Sequence, residues 1–198
     1  MKEETMKIRY LIAAAAVGLA APAMAQVNNN ASILQWFGNN SYGSIEQVGS
    51  VHAVARINQH GFDNKAGNTL FQADCPCFPE LIPGINQVGS TNVEASISMG
   101  GSANQANIRQ GRATNSRASI VQTPEGQIVP HDNKAYIFQD GFNADAEILQ
   151  HGEFNFAFMI QGEGRGAVNL GRITQSGANN RAYMEQFGSG HQGFITQR

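Results

Sequence analysis

Large apolar residues recur along this chain two positions before a glutamine. The pairs run Ile33/Gln35, Ile45/Gln47, Ile57/Gln59, Leu70/Gln72, Ile85/Gln87, Ile97/Met99, Ile108/Gln110 and Ile120/Gln122. They continue with Ile137/Gln139, Ile148/Gln150, Met159/Gln161, Ile173/Gln175, Met184/Gln186 and Ile195/Gln197, fourteen units in which only Met99 breaks the glutamine column. Two residues before the apolar position stands Ala or Gly in every unit except the fourth and fifth, which carry Asn68 and Pro83. Small-x-apolar-x-Gln is a period of two, so these side chains share one face of a β-strand. The positions between them are chemically mixed, as an outward face would be. Gly follows two residues after most glutamines, as at Gly61, Gly141, Gly152 and Gly177, and Asn follows soon after, as at Asn64, Asn143, Asn155 and Asn180. Both residues tolerate positive φ and mark tight turns. The spacing of mostly 11 or 12 residues fits a strand of about five or six residues plus a turn.

A unit this short cannot bury its own apolar face, whereas stacked copies can. The fold class expected is all-β: a β-solenoid of about seven strand-turn-strand rungs forming two facing parallel sheets, an amyloid-like cross-β arrangement. Odd units are expected in one sheet and even units in the other. The insertions at about 73–84 and 123–134 then fall at rung-to-rung corners on one edge, and a smaller interruption near 162–168 falls inside the sixth rung.

In such a parallel stack each glutamine amide lies one strand spacing from the next, close enough to donate to its neighbour's oxygen in a ladder. An interior amide is costly unless paired, so the column is self-consistent only with glutamine above and below. The self-assembly ladder therefore consists of Gln35, Gln47, Gln59, Gln72, Gln87, Gln110, Gln122, Gln139, Gln150, Gln161, Gln175, Gln186 and Gln197. The apolar seam consists of Ile33, Ile45, Ile57, Ile85, Ile97, Ile108, Ile120, Ile137, Ile148, Met159, Ile173, Met184 and Ile195. Met99 interrupts one ladder, and Gln72 and Gln122 are expected to lose a partner there. Repeats run almost to Arg198, and unpaired first and last strands offer an edge to another chain.

The segment Gln175-Ser-Gly177-Ala-Asn-Asn180-Arg-Ala182-Tyr-Met184-Glu-Gln186 reads Q-x-G-x-x-N-x-A-x-φ-x-Q, where φ is a large apolar residue, and Gln150 to Gln161 reads the same way. This pattern resembles the curlin repeat of curli fibres, and the resemblance extends over residues 31–197. It implies a secreted bacterial subunit that polymerises into functional amyloid at the cell surface. Self, other curli subunits and outer-membrane export machinery are the implied partners. The function expected is that of a structural subunit of an extracellular fibre for adhesion and biofilm matrix. The alternatives are a minor nucleator subunit and a monomeric β-solenoid adhesin.

Composition fits this picture and narrows it. Lys2, Lys7 and Arg9 precede the apolar run Tyr10 to Ala21, which ends in Pro22-Ala23-Met24-Ala25. A basic head, a short apolar middle and a small-x-small end read as a secretory signal peptide over 1–25, leaving 26–198 as the repeat domain. The run is shorter than the roughly 20 residues of a spanning helix, and no membrane span is expected. The formal net charge of −2 lacks the footprint of a dedicated nucleic-acid binder. Cys75-Pro76-Cys77 lies in the first insertion. An exported chain can keep disulfides, but a bond across one residue is tightly constrained, and a metal site wants about four ligands. The pair reads as a loop ornament or a strained redox pair, with an intermolecular link also open. The five histidines and the scattered carboxylates build no Ser/His/Asp or phosphate-loop pattern. No catalytic residue, metal or cofactor is expected, and no enzymatic activity.

Overall fold

The period-two pattern becomes strand after strand in a computed structural model that describes residues 28–36, 40–70, 81–123, 132–162 and 168–198. The expected signal peptide, Gln72 and the Cys75-Pro76-Cys77 segment lie outside the described residues. Among the described residues there is no helix, and so none long and apolar enough to cross a membrane.

The first sheet has seven strands, in the order β1 (Asn30–Trp36), β4 (Val54–Phe62), β8 (Glu94–Ser102), β10 (Arg117–Thr123), β12 (Ala144–Glu153), β14 (Asn169–Ala178) and β16 (Gln192–Gln197). The second has six layers. They are β2 (Tyr42–Gly43) with β3 (Ile45–Val48), β5 (Lys65–Leu70) with β7 (Ile85–Val88), β9 (Gln105–Thr114), β11 (Lys134–Phe142), β13 (Phe156–Gly162) and β15 (Arg181–Phe187). Neighbours within each sheet are parallel and in register, so that Ile120 lies between Ile97 and Ile148 and Ile137 between Ile108 and Met159. The chain alternates between the sheets as it climbs. The result is the expected all-β solenoid of two facing parallel sheets, with one strand of the first sheet for each expected rung.

The core is the space between the sheets. Ala55, Ala95, Ala118, Ala146, Ile97, Ile120 and Ile148 from the first sheet meet Ala106, Ala135, Ile108 and Ile137 from the second, all at most 1% exposed. Side-chain size is matched across the gap. Where the second sheet carries the longer Met159 and Met184, the facing first-sheet residues are Gly171 and Gly193. A Cβ on Gly171 would stand 2.8 Å from Met159 Sδ.

The corners repeat as regularly as the strands. At the turn from first to second sheet, Asp63, Ala103, Phe154 and Asn179 all adopt positive φ, between 53° and 61°. The glycine two residues upstream is obligatory at close approach: a Cβ on Gly61 would lie 1.8 Å from the Gly101 carbonyl oxygen of the next layer. The backbone reversal is thus shared by stacked layers that touch through their main chains.

Contrary to expectation, units do not sort strictly by parity, because Ile45 and Ile85, from the second and fifth units, stack on each other in the same sheet. Lys65 and Ala66 pair with Tyr42 and Gly43 below and with Gln105 and Ala106 above. Ile85 and Gln87 pair with Ile45 and Gln47 below and with Ile108 and Gln110 above. A single solenoid strand is therefore split. Its small residue is Ala66, its apolar residue is Ile85, and the chain leaves and re-enters between them. The excursion begins as an antiparallel pairing of β5 with β6 (Leu81–Pro83). At its neck a Cβ on Gly84 would stand 2.3 Å from the Ala66 carbonyl oxygen, so the two chain ends are pressed together and only glycine fits. The first insertion is thus a mid-strand excursion of the second sheet instead of a corner, and it spans 67–84. The second joins β10 to β11 within a rung, and the 162–168 interruption joins one rung to the next. The insertions therefore do not share an edge.

Candidate functional site: amide ladders and open sheet edges

Because every strand ends its inward face in glutamine, the register stacks amide on amide. In the second sheet Gln47 Nε2 donates to Gln87 Oε1 at 2.8 Å, Gln87 to Gln110 at 2.8 Å, Gln110 to Gln139 at 2.8 Å, Gln139 to Gln161 at 3.0 Å and Gln161 to Gln186 at 2.7 Å. In the first sheet Gln35 donates to Gln59 at 2.6 Å, and Gln122 to Gln150 to Gln175 to Gln197 at 2.8, 2.9 and 2.8 Å. Gln59 to Gln175 in the first sheet and Gln87 to Gln186 in the second are at most 7% exposed, where an unpaired amide would cost about 1–3 kcal/mol. Every donor points toward the C-terminal end, so both ladders are polar.

The second N–H of each amide makes a cross-brace. It donates to a backbone carbonyl on the strand immediately preceding in the chain, in the opposite sheet: Gln139 to Arg117 at 2.8 Å, Gln150 to Lys134 at 3.0 Å, Gln175 to Phe156 at 3.0 Å and Gln197 to Arg181 at 2.9 Å. One side chain thus ties its layer to the next and its sheet to the other. Gln35 begins the series and turns to Ser41 O at 3.2 Å.

Met99 breaks the first-sheet ladder, and the break falls between Gln59 and Gln122, with which it is in register. Gln72, the other residue expected to lose a partner there, lies outside the described residues. Gln59 keeps its cross-brace to Tyr42 O at 2.8 Å and donates to Asn64 O at 3.2 Å in place of a next amide. Gln122 Oε1 is buried without a partner, the loss expected where methionine supplies no donor.

A further ladder escaped the reading of the sequence. Asn64, Asn104, Asn133, Asn155 and Asn180 stack at one corner, the first four buried. The Oδ1 of each of these four accepts the main-chain N–H of the asparagine in the next layer, at 3.0–3.2 Å. Nδ2 of Asn133 and Asn155 donates to the carbonyls of Gly152 and Gly177 at 2.7 and 2.9 Å. The signal was visible as Asn two residues before the small position. Asn133 obscures it, because it follows the second insertion instead of a Gly-x-x-Asn corner.

Outward faces differ between the sheets. On the first, Glu94 lies 2.8 Å from Arg56 and 3.4 Å from Arg117, and Glu147 pairs with Arg172. These exposed pairs contribute little stability. On the second, Tyr136, Phe138, Phe156, Phe158 and Tyr183 form an aromatic stripe with centroids 5.4–6.4 Å apart. Burial, with Asp132 nearby, pushes the Tyr136 phenol up to about 12. Among the described residues no group of three or more His, Cys, Asp or Glu side chains is placed to hold a metal ion.

The ends are open. All seven residues of β1 are exposed, Ile33 at 42% and Leu34 at 49%, although the counterparts of Ile33 in later layers are core. Among the described residues no glutamine donates to Gln35 or Gln47, and none accepts from Gln186 or Gln197.

A family model described as the curlin associated repeat matches residues 169–198, the span from β14 through β16. Neither curated proteins nor solved structures returned a match. The curlin associated repeat is thus recognised in the last three strands, and the same strand unit continues in register through the preceding layers.

Proposed function

We propose that this chain is the structural subunit of an extracellular curli-type fibre, growing end to end through its terminal strand edges and catalysing nothing. The observation that carries this reading is the polarity of the two glutamine ladders. The N-terminal end presents the acceptor oxygens of Gln35 and Gln47, and the C-terminal end presents the donor amides of Gln186 and Gln197. The same complementarity holds for the backbone edges of β1 and β3 against β15 and β16. One end of a copy is therefore the continuation of the other, and such a head-to-tail contact extends without closing. Apolar burial at the junction adds to it, because Ile33 and Ile45 at one end and Ile195 at the other are covered when copies stack. Secretion and surface localisation fit the family and the composition of residues 1–25.

The double variant Phe194→Pro/Thr196→Pro removes two strand N–H donors that face the open C-terminal edge, because Leu170 N–H donates to His191 O and the alternate residues Gly193, Ile195 and Gln197 are therefore the ones turned toward β14. It is expected to leave the monomer's strand content unchanged and to abolish its ability to extend fibre seeds, read by seeded dye-binding kinetics. Extension at the wild-type rate would contradict the end-to-end mechanism.

A further inference from the structure

The described solenoid begins and ends on the same sheet: β1 and β16 both belong to the first, which has seven strands against six layers in the second. The described layers are therefore odd in number. We propose that successive copies in the fibre are related by a half-turn about the fibre axis, a two-fold screw, so that the first sheet of one copy continues the second sheet of the copy before it. This inference rests on the fibre reading above and specifies its geometry.

The argument is topological first. Within a copy the described layers alternate between the sheets. Stacking by translation alone would place β1 of the next copy on β16, while β15 would face β3 across a missing layer, a gap of about 4.8 Å beyond the normal strand spacing. Two sheet edges would then stay open inside every junction, an arrangement that leaves buried backbone groups unpaired. A half-turn removes the gap. β1 then follows β15, and β2 with β3 follows β16, which continues the alternation.

The amides support the same relation. In the half-turn arrangement Gln186 Nε2 meets the open oxygen of Gln35, and Gln197 Nε2 meets that of Gln47, so both ladders run on. Gln35, which within a copy has no preceding strand to brace, gains one in β16 of its neighbour. Translation would satisfy Gln35 from Gln197 and leave Gln186 and Gln47 unmatched. The columns accept the swap because the two sheets carry the same inward chemistry. Ala182 would stack on Ala31, Met184 on Ile33, Gly193 on Gly43 and Ile195 on Ile45. The rise per copy becomes six and a half layers, about 31 Å, instead of seven layers, about 34 Å.

The test is thiol cross-linking between copies in mixed fibres, using outward, exposed positions in a background with Cys75→Ser and Cys77→Ser. Fibre formation is first checked by electron microscopy. Ser32→Cys subunits are then mixed with either Tyr183→Cys or Phe194→Cys subunits and treated with a bridging reagent too short to span the two sheets. The half-turn predicts cross-linked dimers for Ser32/Tyr183 and at least tenfold fewer for Ser32/Phe194. A second pair, Glu46→Cys with Thr196→Cys, is expected to cross-link as well as Ser32/Tyr183. Fibres that link Ser32 to Phe194, link both pairs equally, or link none of the three overturn the screw while leaving the fibre intact. Absence of fibres from the unsubstituted chain would overturn the fibre reading and the screw with it.

Discussion

A single glutamine in this protein makes two bonds that do different work: one runs along the column, the other crosses between the sheets. Its worth is visible where it is missing. Met99 leaves Gln122 Oε1 buried without a donor. Restoring the column with Met99→Gln supplies one at a site whose register neighbours on both sides are glutamines. The substitution gives up apolar burial but pairs a buried acceptor, and we expect a net stabilisation of about 1 kcal/mol. A denaturation midpoint that rises without a change in slope would show this; a fall of the midpoint would mean that the Met99 site does not accept the ladder geometry. A second residue-scale effect belongs to Tyr136. Its phenol is held protonated up to about 12, against 10.0 for the free side chain. The unfolded chain therefore loses this proton first as pH rises, and the folded state is progressively disfavoured between about pH 10 and 12. The stability lost is on the order of 2 kcal/mol. Below pH 10 the residue contributes no pH dependence. Tyr136→Phe is expected to flatten the alkaline limb of the stability profile, and an unchanged limb would count against the assignment.

At the scale of the strand, the pattern was legible in the sequence because inward positions are under one chemical demand repeated at every layer. Periodicity alone puts Ile, Ala and Gln on the inward face, and it accounts for the loss at Gln122. What could not be read was continuity. Leu70/Gln72 has the right spacing, yet the layer is built from Ala66 and Ile85, far apart in the sequence but two positions apart in the strand. Periodicity along the chain measures spacing, whereas a hairpin that leaves and re-enters at a pinched neck preserves the column and destroys the spacing. The trace it left was the pair of units lacking Ala or Gly in the small position. The asparagine ladder was partly hidden for a related reason, since a turn residue at one corner and a buried ladder rung look the same until the layers are stacked. The split strand makes a specific prediction. Deleting residues 68–84 leaves Asn64-Lys65-Ala66-Gly67-Ile85-Asn86-Gln87, an uninterrupted unit. That variant is expected to keep its strand content and to stay within about 1 kcal/mol of the parent, because the columns on either side already close around the excursion. Failure to fold would show that the insertion supplies contacts the solenoid needs.

On the scale of the whole molecule, repetition is what makes a copy into a template. Each interior layer is held by a layer on either side, and the terminal layers carry the same side chains with one side unmet. Polar ladders give the stack a direction, and charged pairs on one outward face and rings on the other keep its two sides different. The central claim is that these open ends are met by further copies, with strands running perpendicular to the growth axis. The most direct measurement is X-ray diffraction from aligned assemblies of the incubated protein. A meridional reflection at about 4.7–4.8 Å with an equatorial spacing near 10 Å is expected; a protein that stays monomeric at high concentration and gives no such meridional order would contradict the account.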